Sequence, residues 1–201
     1  MMKRFCISVG AMFLLTLGLP AQEASRPQPL TTAAWEECWT ALAGDDAAAA
    51  FRAMQSLAGA REQTVARLKG RLHHAVAVEE AQLRQWVADL ESDVFAVRER
   101  AGIALANAGG QAEAALRRKQ GELPSLEVSW RIDQLLSRIA QRQLTAEELR
   151  SVRAVEALEY IGSPEAKSLL ATLARGPQGC RLAAEAQASL DRLGRRGVRA
   201  E

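Results

Sequence analysis

EEAQLRQWVADLESDVFAVRERAGIALANAGG, residues 79–110, decides the fold of this chain. Its first part repeats apolar residues at helical spacing: Leu83, Trp86, Val87 and Leu90. After a polar break at 91–92, a longer run places a second apolar set on one helix face: Val94, Val97, Ala101, Ala104, Leu105 and Ala108. Two amphipathic helices cannot bury both stripes alone, so each pair has to stack on another pair. The stretch predicts an all-α chain, an α-solenoid of irregular antiparallel helix pairs.

The same pattern continues over residues 33–193 and predicts about nine helices. Asp45 or Asp46 is placed to cap the second helix, and Thr145 with Glu148 has the form of a capping box. Ser163 followed by Pro164 predicts another helix start. No proline falls inside a predicted helix, which agrees with this division.

The N-terminal residues 1–21 have the features of a signal peptide. Lys3 and Arg4 precede an apolar run over 5–19, and Ala21 is suited to cleavage. We expect a periplasmic or secreted protein. The alternative is an uncleaved N-terminal membrane anchor, although the run is shorter than the roughly 20 residues of a spanning helix. Residues 22–32 predict an extended linker, and residues 194–201 a basic flexible tail.

The charge balance argues against a nucleic-acid partner. The chain has 26 basic and 24 acidic residues, and loss of Lys3 and Arg4 leaves 24 of each. A near-neutral protein lacks the basic surplus that phosphate binding requires. We expect contact with a membrane only if the N-terminal segment stays uncleaved.

Two stretches resemble HEAT repeats of the short bacterial, phycobilisome-lyase-like kind: DVFAVRERAGIALANAGG at 93–110 and VRAVEALEYIGSPEAKSLLATLA at 152–174. Residues 35–193 also resemble the helical region that follows WD-repeat β-propellers in planctomycete-type bacterial proteins. The resemblance implies a helical repeat fold and offers no catalytic residue. This chain has a predicted signal peptide where those proteins have a propeller.

HEAT-like folds often contain an internal polar ladder, in which an Asp before the second helix meets an Arg within it. The resemblance implies such pairs for Asp46 with Arg52 and for Asp93 with Arg98, and Arg153 stands at a similar place in its unit. We interpret these five residues as structural.

His73 and His74, followed by Glu79 and Glu80, form the one cluster with metal-ligand chemistry. Adjacent side chains on a helix point about 100° apart, so they do not converge as an i, i+4 pair would. We expect a solvated connector with no metal. The chain has no other histidine, so a Cys-His or Ser-His-Asp site would have to use this pair, and nothing nearby indicates a nucleophile elbow.

The remaining thiols after processing, Cys38 and Cys180, are 142 residues apart, near opposite ends of the predicted array. A disulfide requires Cα atoms within about 7 Å and would imply a curled superhelix. We expect two buried, unpaired thiols instead. The tryptophans at 35, 39, 86 and 130 are expected to fill the core, with Trp35 the expected exception because a terminal helix has one neighbour.

The sequence has no paired carboxylates at a defined spacing, no phosphate-binding glycine loop and no Cys-x-x-Cys motif. We therefore predict an exported, non-catalytic protein-interaction or scaffold module without a cofactor, which binds a protein partner on the concave face of the second helices. One alternative is an accessory or lyase-like enzyme role, which requires a cofactor cleft containing His73 or His74. The other is a structural envelope spacer, uniformly polar on both faces.

Overall fold

The computed structural model describes residues 29–198, which contain ten α-helices and no strand. They are α1 (Thr32–Ala41), α2 (Ala47–Gly59), α3 (Arg61–Lys69), α4 (Glu80–Asp89), α5 (Phe95–Ala108), α6 (Gly110–Gly121), α7 (Leu126–Gln141), α8 (Ala146–Ile161), α9 (Pro164–Ala174) and α10 (Arg181–Val198). The all-α prediction is confirmed for these residues. The predicted signal peptide and most of the predicted linker lie outside the described residues.

Residues with short polar side chains cap the N-termini of several of these helices. Asp46 accepts hydrogen bonds from the backbone N–H groups of Ala48 and Ala49 at the start of α2. Thr145 and Glu148 form the expected capping box, in which each side chain accepts from the other residue's backbone N–H. Gly162 ends α8 in the left-handed conformation, which glycine adopts without steric cost. These local predictions are confirmed.

The helices surround two hydrophobic cores. One core is formed by α1, α2, α3, α8, α9 and α10, which come from the two ends of the described chain. The other is formed by α4, α5, α6 and α7, which we call the α4–α7 stack. In that stack α4 packs on α5 and on α6, and α7 packs on α6 and on α5.

Helix α8 joins the two ends of the chain because it packs against α2 as well as α9 and α10. Arg153 of α8 donates hydrogen bonds to the carbonyl oxygens of Leu42 and Gly44, at 2.8 and 2.7 Å. These carbonyls lie at the C-terminal end of α1, where the last carbonyl groups of a helix have no N–H partner within the helix. The negative end of the helix dipole also stabilises a cation at this position.

The last helix runs through residues that the sequence assigned to a flexible tail. Glu159 of α8 is buried, and Arg192 and Arg196 of α10 bind its carboxylate at 2.7 and 2.9 Å. A buried carboxylate needs such partners, so these contacts extend α10 beyond Leu193. No helix within residues 29–198 combines the length and apolarity needed to cross a bilayer.

The four tryptophans do not share one environment. Trp35 is fully buried and stacks on Trp39, so the expectation that it would be the exception is wrong. Arg71 lies over both rings, at 4.9 and 5.5 Å from their centroids. Trp130 is 58% exposed instead of buried. It lies two residues after the buried Val128, and two steps of about 100° turn it to the opposite side of α7.

We predict that Arg153→Met lowers the free energy of unfolding by about 1 to 3 kcal/mol, because it leaves two carbonyls without their charged donor. Arg138→Met, on an exposed position of α7, is the matched control and should change stability by less than about 0.5 kcal/mol. Urea unfolding followed by circular dichroism measures both. Equal stability of the two variants would contradict the capping role of Arg153.

Candidate functional site

The turn between α9 and α10, residues 175–180, brings the two cores together. Gly179 has a φ of +74°, and a Cβ on it would collide with the backbone of Gly110 at the start of α6. A Cβ on Gly176 would collide with the ring of His74. Glycine is therefore required at 179 by close approach to a main chain, whereas a larger residue at 176 would have to displace the His74 ring. Through them the turn touches both the α4–α7 stack and the connector that leads into it.

That connector, residues 70–79, is held at several points. The side chain of Gln111 in α6 accepts a hydrogen bond from the Val78 N–H at 2.9 Å and donates to the Val76 carbonyl at 3.2 Å. His73 is exposed, and its Nε2 lies 3.1 Å from the Gly70 carbonyl oxygen. His74 turns inward and is half-buried. The expectation of a solvated connector thus describes His73 and is wrong for His74.

Cys180 and His74 lie side by side although 106 residues separate them. The Cys180 Sγ is 3.7 Å from the His74 Nδ1, within contact distance for a sulfur hydrogen bond. Cys180 is buried and immediately precedes α10, whose first-turn N–H groups point toward the residue before the helix. A thiol, an imidazole and a helix N-terminus therefore share one location.

The pair lies in the wall of a cleft of about 670 Å³, between the connector, the α5–α6 junction, the end of α7 and the starts of α8 and α10. This volume is in the range of small-molecule sites. Its lining includes His73, His74, Gly110, Gln111, Ile139, Arg142, Leu144, Thr145, Glu148, Ser151, Val152, Cys180, Arg181 and Leu182. A second depression of about 480 Å³ lies along one side of α7 and contains neither histidine nor thiol.

One wall of the cleft carries a strong ion pair. The guanidinium of Arg142 makes two hydrogen bonds to the carboxylate of Glu148, which also accepts from the Thr145 N–H at 2.9 Å. Chiefly the hydrogen bond from Arg142 lowers the pKa of Glu148 from 4.5 to about 2, against an opposing effect of burial. Glu148 therefore stays ionised at neutral pH.

The five residues of the expected polar ladder are placed apart. Asp46 caps α2, which lowers the pKa of its carboxyl through hydrogen bonds from Ala49 and Ala48. Arg52 and Asp93 are exposed. Arg98 donates to the Ser92 carbonyl at 2.7 Å, and Arg153 to carbonyls after α1. Among the described residues, no ion pair joins Asp46 to Arg52 or Asp93 to Arg98.

Cys38 and Cys180 are both free thiols. They were expected near opposite ends of an array, yet both border the core that the two chain ends share. A Cys-His site in this chain was expected to need His73 or His74, but no local sequence pattern indicates which cysteine lies beside them. Cys180 meets His74 through tertiary packing, because α8 brings α10 back toward the connector.

A second surface lies on α5 and α7, away from the cleft. Four large apolar side chains there are each more than half exposed: Phe95, Ile103, Leu126 and Trp130. Between them, Arg131 of α7 binds Glu127 at 2.8 Å and reaches Glu99 of α5 at 3.7 Å. We call these residues the α5–α7 face.

No family model, curated protein or solved structure matches this chain. The HEAT-like resemblance therefore remains a prediction from residues 93–110 and 152–174. Function has to be inferred from the cleft and from the α5–α7 face.

We predict that the stability difference between the wild type and Glu148→Gln depends on pH. Because the folded pKa of Glu148 lies below its ordinary value, the stabilisation is present above pH 4.5 and is lost as pH falls through about 2. The pair is partly exposed, so we expect only about 1 kcal/mol at pH 7. Chemical denaturation between pH 2 and 7 measures it.

Glu147→Gln is the matched control, since Glu147 is the exposed neighbour that pairs with Arg150. Its stability difference from the wild type should be smaller than that of Glu148→Gln at pH 7. A difference for Glu148→Gln that stays constant down to pH 2 would contradict the ion pair.

Proposed function

We propose that this protein is an exported, non-catalytic interaction module whose α4–α7 stack is formed by two HEAT-like helix pairs. Its α5–α7 face binds a protein partner. The second helix of each pair contributes to this face, as the repeat architecture predicts. The observation that carries the proposal is the exposure of Phe95, Ile103, Leu126 and Trp130 on two adjacent helices.

The spacing of these side chains favours an extended binding surface. Leu126 and Trp130 are one helical turn apart on α7, and Phe95 and Ile103 are two turns apart on α5. Arg131 links the helices through Glu99, which lies midway between the two apolar residues of α5. Exposed apolar groups with polar groups beside them are typical of protein-binding sites.

The charges of the face favour a protein over a nucleic acid. Glu99 and Glu127 offset Arg131 and Arg98, so the face has no basic surplus for phosphate contacts. Its partner would present an apolar surface with a few polar groups of both signs. An exposed tryptophan is a frequent source of binding energy at such interfaces.

A second candidate is an accessory enzyme role in the cleft. The specific observation that favours it is the position of His74, which lines a cleft of about 670 Å³ together with Cys180. A structural spacer with two polar faces is favoured less, because the α5–α7 face is partly apolar.

We predict that Trp130→Ala and Phe95→Ala each weaken partner binding without unfolding the protein, since both side chains are exposed and contribute little to the core. Each change should weaken binding by at least about 1 kcal/mol, roughly fivefold. The full chain is crosslinked in its native envelope fraction, companions are identified by mass spectrometry, and binding is then measured with the purified companion.

Phe51→Ala is the matched control, because Phe51 is an exposed aromatic residue on α2, outside the α5–α7 face. It should bind as the wild type does. Equal affinity of the Trp130, Phe95 and Phe51 variants would show that this face is not the binding site. Mass spectrometry of the same preparation also identifies the mature N-terminus, which the signal-peptide prediction places near residue 22.

A further inference from the structure

We propose that Cys180 is a nucleophilic thiol, with His74 as its proton acceptor, and that it takes up acyl groups from small thioesters or activated esters entering the cleft. This inference rests on the second candidate function; it would replace the non-catalytic part of the first proposal and is independent of partner binding at the α5–α7 face. It assigns a covalent site to the cleft and a chemical class to its substrate.

The first support is the geometry of the pair. The Cys180 Sγ lies 3.7 Å from the His74 Nδ1, so the imidazole is placed to accept the thiol proton. Cys180 is 7% exposed and lines the cleft. The thiol is thus largely shielded from bulk water but accessible to a molecule inside the cleft.

The second support is that both partners are fixed by other parts of the fold. Gly176 leaves room for the His74 ring, and Gln111 holds the following residues of the connector through Val76 and Val78. The Cys180 N–H donates to the Pro177 carbonyl at 3.0 Å, which closes the turn before α10. A pair fixed from two separate elements is preorganised, as nucleophile and base need to be.

The third support is the position of Cys180 at the start of α10. The first N–H groups of a helix, here those of Arg181, Leu182 and Ala183, have no acceptor within the helix. They stabilise negative charge nearby, both on a thiolate and on the carbonyl oxygen of an acyl compound during attack. This helix end adds to a thiol-imidazole pair that is already in place.

The proposed reaction balances without an oxidant or a metal. The Cys180 thiol gives its proton to the His74 Nδ1, and the Sγ forms a bond to the carbonyl carbon of the substrate. The bond from that carbon to the leaving oxygen or sulfur then breaks, and the leaving group takes the proton from His74. The acyl group remains on Cys180 as a thioester until water or another nucleophile removes it.

The cleft wall is mixed, with charged residues such as Arg181 in it, and its apolar part suits an apolar acyl group. Ile139, Leu144 and Val152 line the cleft, and its Arg142 and Glu148 already neutralise each other. A metal ion fits less well, because the described residues contain no group of three His, Cys, Asp or Glu side chains placed to hold one. Protein zinc sites use at least three such ligands.

The test treats the full chain with p-nitrophenyl acetate and follows release of p-nitrophenolate, with the acetylated residue identified by peptide mass spectrometry. We expect a burst of about one equivalent and an acetyl group on Cys180. Cys38 is an internal control, since it is more exposed than Cys180, while burial raises the pKa of its thiol. Exposure alone would favour acetylation of Cys38.

Variants separate the roles of the residues. Cys180→Ser should abolish the burst, and Cys38→Ser should keep it. His74→Gln should slow acetylation of Cys180 by at least about tenfold, whereas Arg84→Gln, a control on the exposed surface of α4 outside the cleft, should leave it unchanged. Circular dichroism and urea unfolding show whether each variant is folded.

Two results would overturn the proposal. One is acetylation of Cys180 no faster than that of Cys38 in the same sample. The other is an equal rate in the His74 and Arg84 variants. Alkylation by iodoacetamide serves as a second probe: fast alkylation without acetylation would exclude acyl compounds as the substrate class. None of these results bears on the Trp130 and Phe95 binding test.

Discussion

Close packing on helix α8 holds the first and last helices of the described residues together. Ala154 and Ala157 have no exposed surface, and side chains this small allow α2 and α10 to approach the helix closely. Because α8 directly follows α7, the chain has to leave this core at residues 70–79 and return to it at 142–145. The cleft lies where these two crossings meet, so its position is a consequence of the closure on α8.

The two candidate surfaces depend on different parts of this architecture. The α5–α7 face belongs to the α4–α7 stack alone, and its ion pairs connect neighbouring helices. The cleft takes side chains from the stack, the connector and the other core. A small rotation of one core against the other would therefore reshape the cleft and leave the face unchanged. The contact between Gly110 and Gly179 opposes such a rotation, because main chain meets main chain there.

Sequence patterns predicted those features of the structure that depend only on residues close together in the chain. The caps at Asp46, Thr145 and Ser163 follow from side-chain and backbone groups within three positions of each other. The exposure of Trp130 could also have been predicted from the sequence, since helix geometry places it on the side opposite Val128. The meeting of His74 with Cys180 could not. It depends on the packing of α3 against α8 and α9, and no local pattern specifies contacts between such distant segments.

The shared core also sets the order in which the protein can fold. During synthesis α1, α2 and α3 are made first, yet the surfaces they bury lie on α8, α9 and α10, which are made last. Until then their apolar faces stay open to water and to chaperones. If the protein is exported as we propose, this delay keeps its native core from forming until the last helices are synthesised, which favours transport as an extended chain.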